Sequence, residues 1–231
     1  MLFGAFAAIY YLKNRLPTPV CREVARLGFY PLLPVTIVSQ LTRGGWYNEV
    51  MPGVLLGAVP IVTWLNIPYT LYTQHNVRAV VNLMDEYEGP VDEYARLGIN
   101  HLRIPTVDHQ DVDPKKLLAA MRFIRKHRER NEAVYIHCKA GHGRGATTAF
   151  AWMIVSGFAN GNVDAIQAQI ARTRRVRSNI FGRSKTLQLL YDRLLRKDID
   201  DDSDAEEEAT DSRSQLNPHS DSKNRQSPFN K

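Results

Sequence analysis

Cysteine is nearly absent: 231 residues contain only Cys21 and Cys138. The two sit in unlike surroundings, which argues against a disulfide framework and fits a reducing compartment. No second cysteine or close histidine pair stands near either one, so the spacing of a zinc site is missing and no metal or cofactor is expected. Apolar runs of membrane-spanning length are missing too. The opening "MLFGAFAAIYYLKNR" stays apolar for twelve residues, whereas a spanning helix needs about 20. The following "LGFYPLLPVTIVSQL" carries Pro31 and Pro34, which interrupt such a helix, so this run is read as surface-lying or packed on the domain.

Acids are scarce over most of the chain. From Asp198 onward ten acids face four bases, a net of −6, while the preceding 197 residues hold 26 bases and 14 acids, a net of +12. A folded part this basic attracts phosphates, acidic lipid surfaces or nucleic acid. Nucleic acid is the weakest of these, because the bases lack interleaved aromatics and the acidic tail opposes it. Up to Gly45 the bases Lys13, Arg15, Arg22, Arg26 and Arg43 meet a single acid, Glu23. That pattern suits an organellar transit segment or an interfacial anchor on acidic lipid, with a packed N-terminal helix as the plain alternative. Nine acids between Asp198 and Asp211 leave almost nothing to bury, and the expectation there is a disordered tail. The organisation read from this is a membrane-proximal or targeting segment (1–45), a catalytic domain (46–197) and the tail (198–231).

The middle of the chain alternates strand and helix signals. "GVLLGAVP", "VRAVVNLM", "INHLRIP" and "AVYIHC" read as strands, the second a largely apolar run as if buried on both faces. "DPKKLLAAMRFIRKHRER" opens with Asp113 as N-cap and Pro114 at the first helical position, and sets Leu117, Leu118, Met121 and Ile124 on one face. "ATTAFAWMIVSG" reads as a buried helix stopped by Gly157. Two amphipathic helices follow, one turning Val163, Ile166 and Ile170 inward, the other Leu187, Leu190, Tyr191 and Leu194. The fold class expected is α/β, a central mostly parallel twisted sheet with helices on both faces.

Chemistry concentrates in "VYIHCKAGHGRGATTAF". Cys138 lies between a strand and a glycine-rich loop that ends in Arg144 at the start of a helix. Such a loop aims backbone N–H groups at one spot, and the helix dipole adds positive potential. Its glycines allow the tight path, and the resulting hollow suits a phosphate-sized oxyanion. The same field favours a nucleophilic thiolate. Arg144, closing a C-x5-R spacing, is placed to grip two phosphate oxygens, most strongly where transition-state charge spreads over them. Lys139, Ala140, Gly141, His142 and Gly143 would form the phosphate-binding loop, and His137 would steady it through its ring nitrogens. A dinucleotide loop does not fit, since the glycines read GxGxG with no acidic partner about 20 residues on. An inert cysteine requires neither the glycines nor the arginine. A rhodanese-like sulfur-transfer site shares the strand-to-loop cysteine and stays open as an alternative.

These residues resemble the signature of cysteine-based protein tyrosine phosphatases in their compact dual-specificity branch, over roughly Trp46 to Leu195. "WYNEVMPGVLLGAVP", "VVNLMDEYE", "LRIPTVD" and "YIHCKAGHGRG" occur in the order seen in the mitochondrial phosphatidylglycerophosphate phosphatases. The resemblance implies that Cys138 attacks phosphorus, Arg144 holds the cysteinyl-phosphate, and Asp108 in "TVD" protonates the leaving alkoxide. Asp111 is the rival acid, and Asp113 is better explained as a helix cap. The acidic-tyrosine motif, Asp85, Glu86, Tyr87 and Glu88, would border the mouth and orient Arg144 or a loop N–H. Arg174 or Arg175, in the "RTRRVR" cluster, would face the same mouth.

The substrate implied is an anionic phospholipid, phosphatidylglycerophosphate. The setting implied is a mitochondrial inner membrane reached through the N-terminal segment, with other organellar or endoplasmic reticulum membranes as alternatives, and the protein a monomer. Basic residues at 139 and 142 also resemble phosphoinositide 3-phosphatases, so a phosphoinositide or dual-specificity protein phosphatase is the second reading. Gly145 departs from the family, which places Ser or Thr there to help release the thiolate; Thr147 or Thr148 would have to substitute. That departure also leaves room for a phosphate-binding module without turnover.

Overall fold

The apolar run Val77–Met84 forms β3 of a five-stranded sheet ordered β1-β2-β5-β3-β4. The structure is a computed structural model, and it describes residues 16–42, 45–62 and 65–196. The apolar opening and the acidic tail lie outside the described residues, so the expectations placed on them stand as expectations. β1 (Tyr47–Met51) pairs antiparallel with β2 (Val54–Gly57). β2, β5 (Ala133–His137), β3 and β4 (Asn100–Thr106) run parallel. The four strands read from the sequence are all present, and the edge strand β1 is an addition. Its half-exposed pattern lacks the unbroken apolar run that marks a strand covered on both faces.

The register sorts the side chains into two layers. Leu55, Tyr135 and Val80 lie abreast and share one face with Val77, Ile67, Leu71, Tyr94 and Ile99. That face is covered by α3 (Ile67–His75) and α4 (Val91–Leu97). Leu56, Ile136 and Val81 lie abreast on the opposite face, against α5 (Pro114–Arg128) and α6 (Arg144–Val155). Alternation along each strand produces the two layers, and both are almost free of solvent contact.

α5 starts as expected: the Asp113 side chain accepts from the Lys116 amide at 3.1 Å, with Pro114 at the first position. α6 buries ten of its twelve residues, and the chain leaves it through Gly157 at φ +74°. α7 (Val163–Thr173), the short α8 (Ile180–Arg183) and α9 (Lys185–Leu195) pack around α6. Upstream, α1 (Thr18–Leu27) and α2 (Phe29–Thr42) meet at Gly28 with a bend of 69°. Pro34 lies inside α2 without ending it. Among the described residues no single helix is long and apolar enough to cross a membrane; α1 and α2 reach that composition only as a bent pair.

Three loops leave the carboxyl ends of the parallel strands side by side, where open α/β sheets place their ligand crevice. One polar residue inside the apolar β3 shapes the first of them. Asn82, fully buried, donates to the Tyr87 and Glu88 carbonyls at 3.1 and 2.8 Å and accepts from the Met84 amide at 2.9 Å. Replacing it by the similarly sized leucine strands those groups, at about 1–3 kcal/mol for a buried unsatisfied polar group. Asn82→Leu is expected to lower unfolding free energy by about 2 kcal/mol in a urea titration. A change within 0.5 kcal/mol, near the ordinary surface-substitution scatter, would show that the loop does not need this anchor.

Candidate active site

β5 runs directly into Cys138, and the loop Cys138–Gly143 ends where α6 begins at Arg144. The loop's carbonyls are tied outward. Lys139 O accepts from the Val59 amide at 3.2 Å, Ala140 O from Arg174 Nη2 at 2.9 Å, and His142 O from the Arg177 amide at 3.1 Å. A planar trans peptide with its carbonyl turned out presents the next N–H to the opposite side. The amides of Ala140, Gly141 and Gly143 therefore face the hollow, at the positive end of α6. Gly141 has φ +74°, and a Cβ there would fall 2.6 Å from Gly57 O and 2.8 Å from Arg174 Nε. Only glycine follows that path.

Cys138 is only 4% exposed, yet it opens onto a pocket of about 450 Å³ together with Arg144 and Asp108. The anion-sized hollow demanded by the C-x5-R spacing is there. Arg144, also 4% exposed, is held by Glu86 through two parallel bonds, Nη1–Oε2 at 2.8 Å and Nη2–Oε1 at 2.7 Å. Its Nη1 donates to Thr106 O at 2.7 Å, and its Nη2 lies 3.2 Å from Asp108 Oδ1. Burial works against the guanidinium charge, but Glu86, then Asp108 and Cys138, raise its pKa above the ordinary arginine range. Of the acidic-tyrosine motif, Glu86 is the member whose side chain bonds Arg144.

The other acids of that motif serve elsewhere. Asp85 Oδ2 pairs with Arg26 at 3.1 Å and Arg22 at 3.4 Å, both from α1. Glu88 is exposed and pairs with Arg103 at 3.1 Å. Tyr87 stacks on Phe29 of α2, centroids 5.0 Å apart. Neither Asp85 nor Glu88 reaches the loop N–H groups; their charges are taken by arginines of α1 and β4.

Of the rival acids, Asp108 lines the pocket. Asp111 accepts from Ser184 Oγ at 2.7 Å and the Thr186 amide at 3.0 Å, so it is spent on the start of α9. Asp113 caps α5. His137 also corrects the expectation. It is fully buried and stacked on Tyr135, and neither ring nitrogen meets a partner at hydrogen-bonding geometry among the described residues. Burial pushes it down to about 3, His101 adding to the shift and the nearby Cys138 backbone offsetting part of it. It precedes the loop as a neutral, packed ring.

Arg174 is the clearest displacement. It does not line the catalytic pocket; it lies buried beneath the loop, bonded to Ala140 O, Asn48 Oδ1 at 2.8 Å and Gln40 Oε1 at 2.9 Å. Arg175 and Arg177 line the pocket in its place, along with Lys139 and His142. The sequence reading also missed His109, whose Nδ1 sits 2.6 Å from Arg177 Nη2, and a whole wall of the pocket, built from α2 by Leu32, Val35, Thr36, Ser39 and Gln40. A signal existed for the wall: positions 32, 35, 36 and 39 fall on one helical stripe. Thr148 donates to Arg144 O at 3.2 Å and so is turned toward the helix backbone; Thr147 borders a smaller neighbouring hollow with His109 and Arg144.

A central parallel strand that enters a C-x5-R loop at a helix N-terminus, with a carboxylate from the next strand's loop beside it, defines a cysteine-dependent phosphatase. Residues 63–191 match the dual specificity phosphatase catalytic domain, and the chain belongs to that family. Within it, the phosphatidylglycerophosphatase and protein-tyrosine phosphatase 1 of Rattus norvegicus is 32% identical over 178 residues, 72% of this chain and 88% of that protein. The Homo sapiens protein of the same name is 35% identical over 141 residues, 57% of this chain and 69% of that one. A phosphatidylglycerophosphate phosphatase of Arabidopsis thaliana is 30% identical over 135 residues, 56% of this chain and 39% of that one. The crystal structure of PTPMT1 in complex with PI(5)P superposes with a TM-score of 0.57 at 25% identity, covering 66% of this chain and 98% of that one.

Breaking the Arg144–Glu86 pair tests what holds the guanidinium. Both side chains are almost wholly buried, and removing one partner of such a pair costs about 3–5 kcal/mol. Glu86→Ala is expected near the lower figure, about 3 kcal/mol, because Thr106 O and Asp108 still engage Arg144. Chemical denaturation measures it, and a loss under about 1 kcal/mol, the scale of an exposed ion pair, would assign the positioning to those two groups instead.

Proposed function

We propose that this enzyme removes the terminal phosphate of phosphatidylglycerophosphate at a membrane surface, through a cysteinyl-phosphate on Cys138. The observation that carries it is one pocket of mixed lining. Cys138 and Arg144 line it together with the basic Lys139, His142, Arg175 and Arg177 and with Leu32, Val35 and Thr36 of α2. A phosphomonoester with an apolar carrier fits such a lining, and the names of the similar rat, human and plant proteins support the choice of lipid.

In this reading the phosphate docks on the loop amides and the Arg144 fork, where it takes the place of Asp108 against Nη2. The Cys138 thiolate attacks phosphorus, the P–O bond to the alcohol breaks, and Asp108 gives its proton to the leaving oxygen. Water then attacks the cysteinyl-phosphate, Asp108 takes a proton from it, and inorganic phosphate leaves with the thiolate restored. Arg144 and the amides stabilise the equatorial oxygens in both steps.

The membrane contact is assigned to the N-terminal segment. Val20, Leu27, Tyr30, Val38 and Leu41 are exposed apolar residues of α1 and α2, a face suited to a membrane interface. The basic, acid-poor N-terminus supports a mitochondrial inner-membrane setting. A second reading, a phosphoinositide phosphatase, is favoured by the PI(5)P complex of the similar solved structure.

Phosphate release measured over phosphatidylglycerophosphate, phosphoinositides and phosphotyrosine peptides separates these readings. Phosphatidylglycerophosphate is expected to give the highest kcat/KM, and efficient peptide turnover with this lipid left intact would overturn the substrate. Cys138→Ser is expected to abolish release while ligand binding persists, and Asp108→Asn to slow alkyl esters more than aryl esters. Gly145 yields a separate prediction. A Cβ there would lie 3.1 Å from the flexible Leu56 Cδ1 and 3.5 Å from the Cys138 amide nitrogen, so a serine at 145 would stand beside the start of the phosphate loop. The wild type is expected to show a pre-steady-state burst from a slow second step, and Gly145→Ser to shrink the burst and raise kcat. An unchanged burst would mean that breakdown of the intermediate does not wait on a hydroxyl at 145.

A further inference from the structure

α1 and α2 lie upstream of the stretch that matches the family, 63–191, yet their anchoring contacts concentrate on the three loops of the active site. Arg22 and Arg26 pair with Asp85 of the acidic loop. Cys21 Sγ points to the carbonyl of Asp108 at 3.8 Å. Phe29, 1% exposed, is stacked on Tyr87 and has the Lys139 ammonium 5.6 Å from its ring centroid. At the far end of α2, Gln40 is 4% exposed. Its Nε2 donates to Ala140 O at 3.4 Å, and its Oε1 accepts from Arg174 Nη2 at 2.9 Å. Arg174 Nη2 bonds the same Ala140 carbonyl.

The helix period explains the arrangement. Phe29, Ile37 and Gln40 fall on the stripe turned to the domain, with Phe29 and Gln40 buried and Ile37 packed against the core. Leu32, Val35, Thr36 and Ser39 follow one another at i, i+3, i+4 and i+7 and line the catalytic pocket. A helix clamped at both ends to the loops that carry the reacting groups is a fixed boundary of the pocket. Its apolar positions, Leu32 and Val35, border the same pocket as Cys138, Arg144, Arg175 and Arg177.

We infer that α2 is a specificity wall of this active site: Leu32 and Val35 select phosphomonoesters whose leaving alcohol carries an alkyl chain, and Gln40 latches the wall to the phosphate loop. The inference rests on the phosphatase reading and adds to it the residues that recognise the carrier. Gln40 is a positioning residue, acting through Arg174 and the Ala140 peptide. Its amide bridges both, so the orientation of the Gly141 N–H depends on the placement of α2.

A chain-length series tests the wall without a membrane. With soluble monoalkyl phosphates from butyl to octyl, wild-type kcat/KM is expected to rise about two- to fourfold for each methylene that reaches Leu32 and Val35. In Leu32→Ser with Val35→Ser the rise is expected to flatten to less than about 1.5-fold per methylene. Equal slopes in wild type and variant would overturn the wall. Gln40→Ala is expected to flatten the slope as well and to weaken inhibition by vanadate severalfold, an effect the Leu32 and Val35 changes do not share. Unaltered vanadate inhibition in a folded Gln40→Ala protein would overturn the latch; if that variant fails to fold, the half-exposed wall positions still decide the main inference. Failure of the underlying reading looks different: neither para-nitrophenyl phosphate nor any alkyl phosphate would be hydrolysed by the wild type.

Discussion

The guanidinium of Arg144 ties together the three strand-end loops that meet at the hollow. It belongs to the first turn of α6, yet it bonds Glu86 after β3, Thr106 O at the end of β4, and the Asp108 carboxylate beyond it. Three loops from three strands therefore share one charged group. Desolvating an arginine costs several kcal/mol, and that cost is recovered only when its donors are matched in geometry and charge. Glu86 supplies the match through its two-pronged contact. A fixed guanidinium and fixed loop amides need no reorganisation when charge develops on the phosphoryl oxygens, which is the main source of rate in such sites.

The acidic-tyrosine motif divides its work according to where each side chain emerges. Glu86 turns inward to Arg144, Asp85 and Tyr87 meet α1 and α2, and Glu88 meets Arg103 at the surface. Asn82 makes this division possible by pinning the turn from within the apolar strand. Four neighbouring residues thus reach different partners because a loop, unlike a helix or strand, has no fixed period.

Packing of the N-terminal helices against these loops changes the character of the pocket. The stretch that matches the family brings Cys138, Arg144 and Asp108 to the pocket, whereas α2 brings its apolar residues Leu32 and Val35. Arg174 and Gln40, both buried and polar, form the joint between them. Buried polar groups persist where their hydrogen bonds are satisfied. Here Arg174 Nη1 and Nη2 and both ends of the Gln40 amide have partners.

Much of this was legible from residues in order. The continuous run of β3, the Asp113–Pro114 start of α5, the apolar α6 and the C-x5-R loop are local patterns, governed by side-chain period, capping and backbone freedom, and those act between near neighbours. What the chain order could not show was which long side chain meets which loop. Arg174 and Arg175 are adjacent in sequence, and only the fold places one beneath the phosphate loop and the other on the pocket wall. Asp108 and Asp111 are three residues apart, and only the fold sets the first on the pocket and ties the second to Ser184 and Thr186. Gln40 stands 100 residues before the carbonyl it holds. Local sequence determined the elements and the reactive loop, because their causes are short-ranged; tertiary structure decided the partners of the charged and polar groups, because desolvation and pairing depend on what the fold brings within about 3 Å.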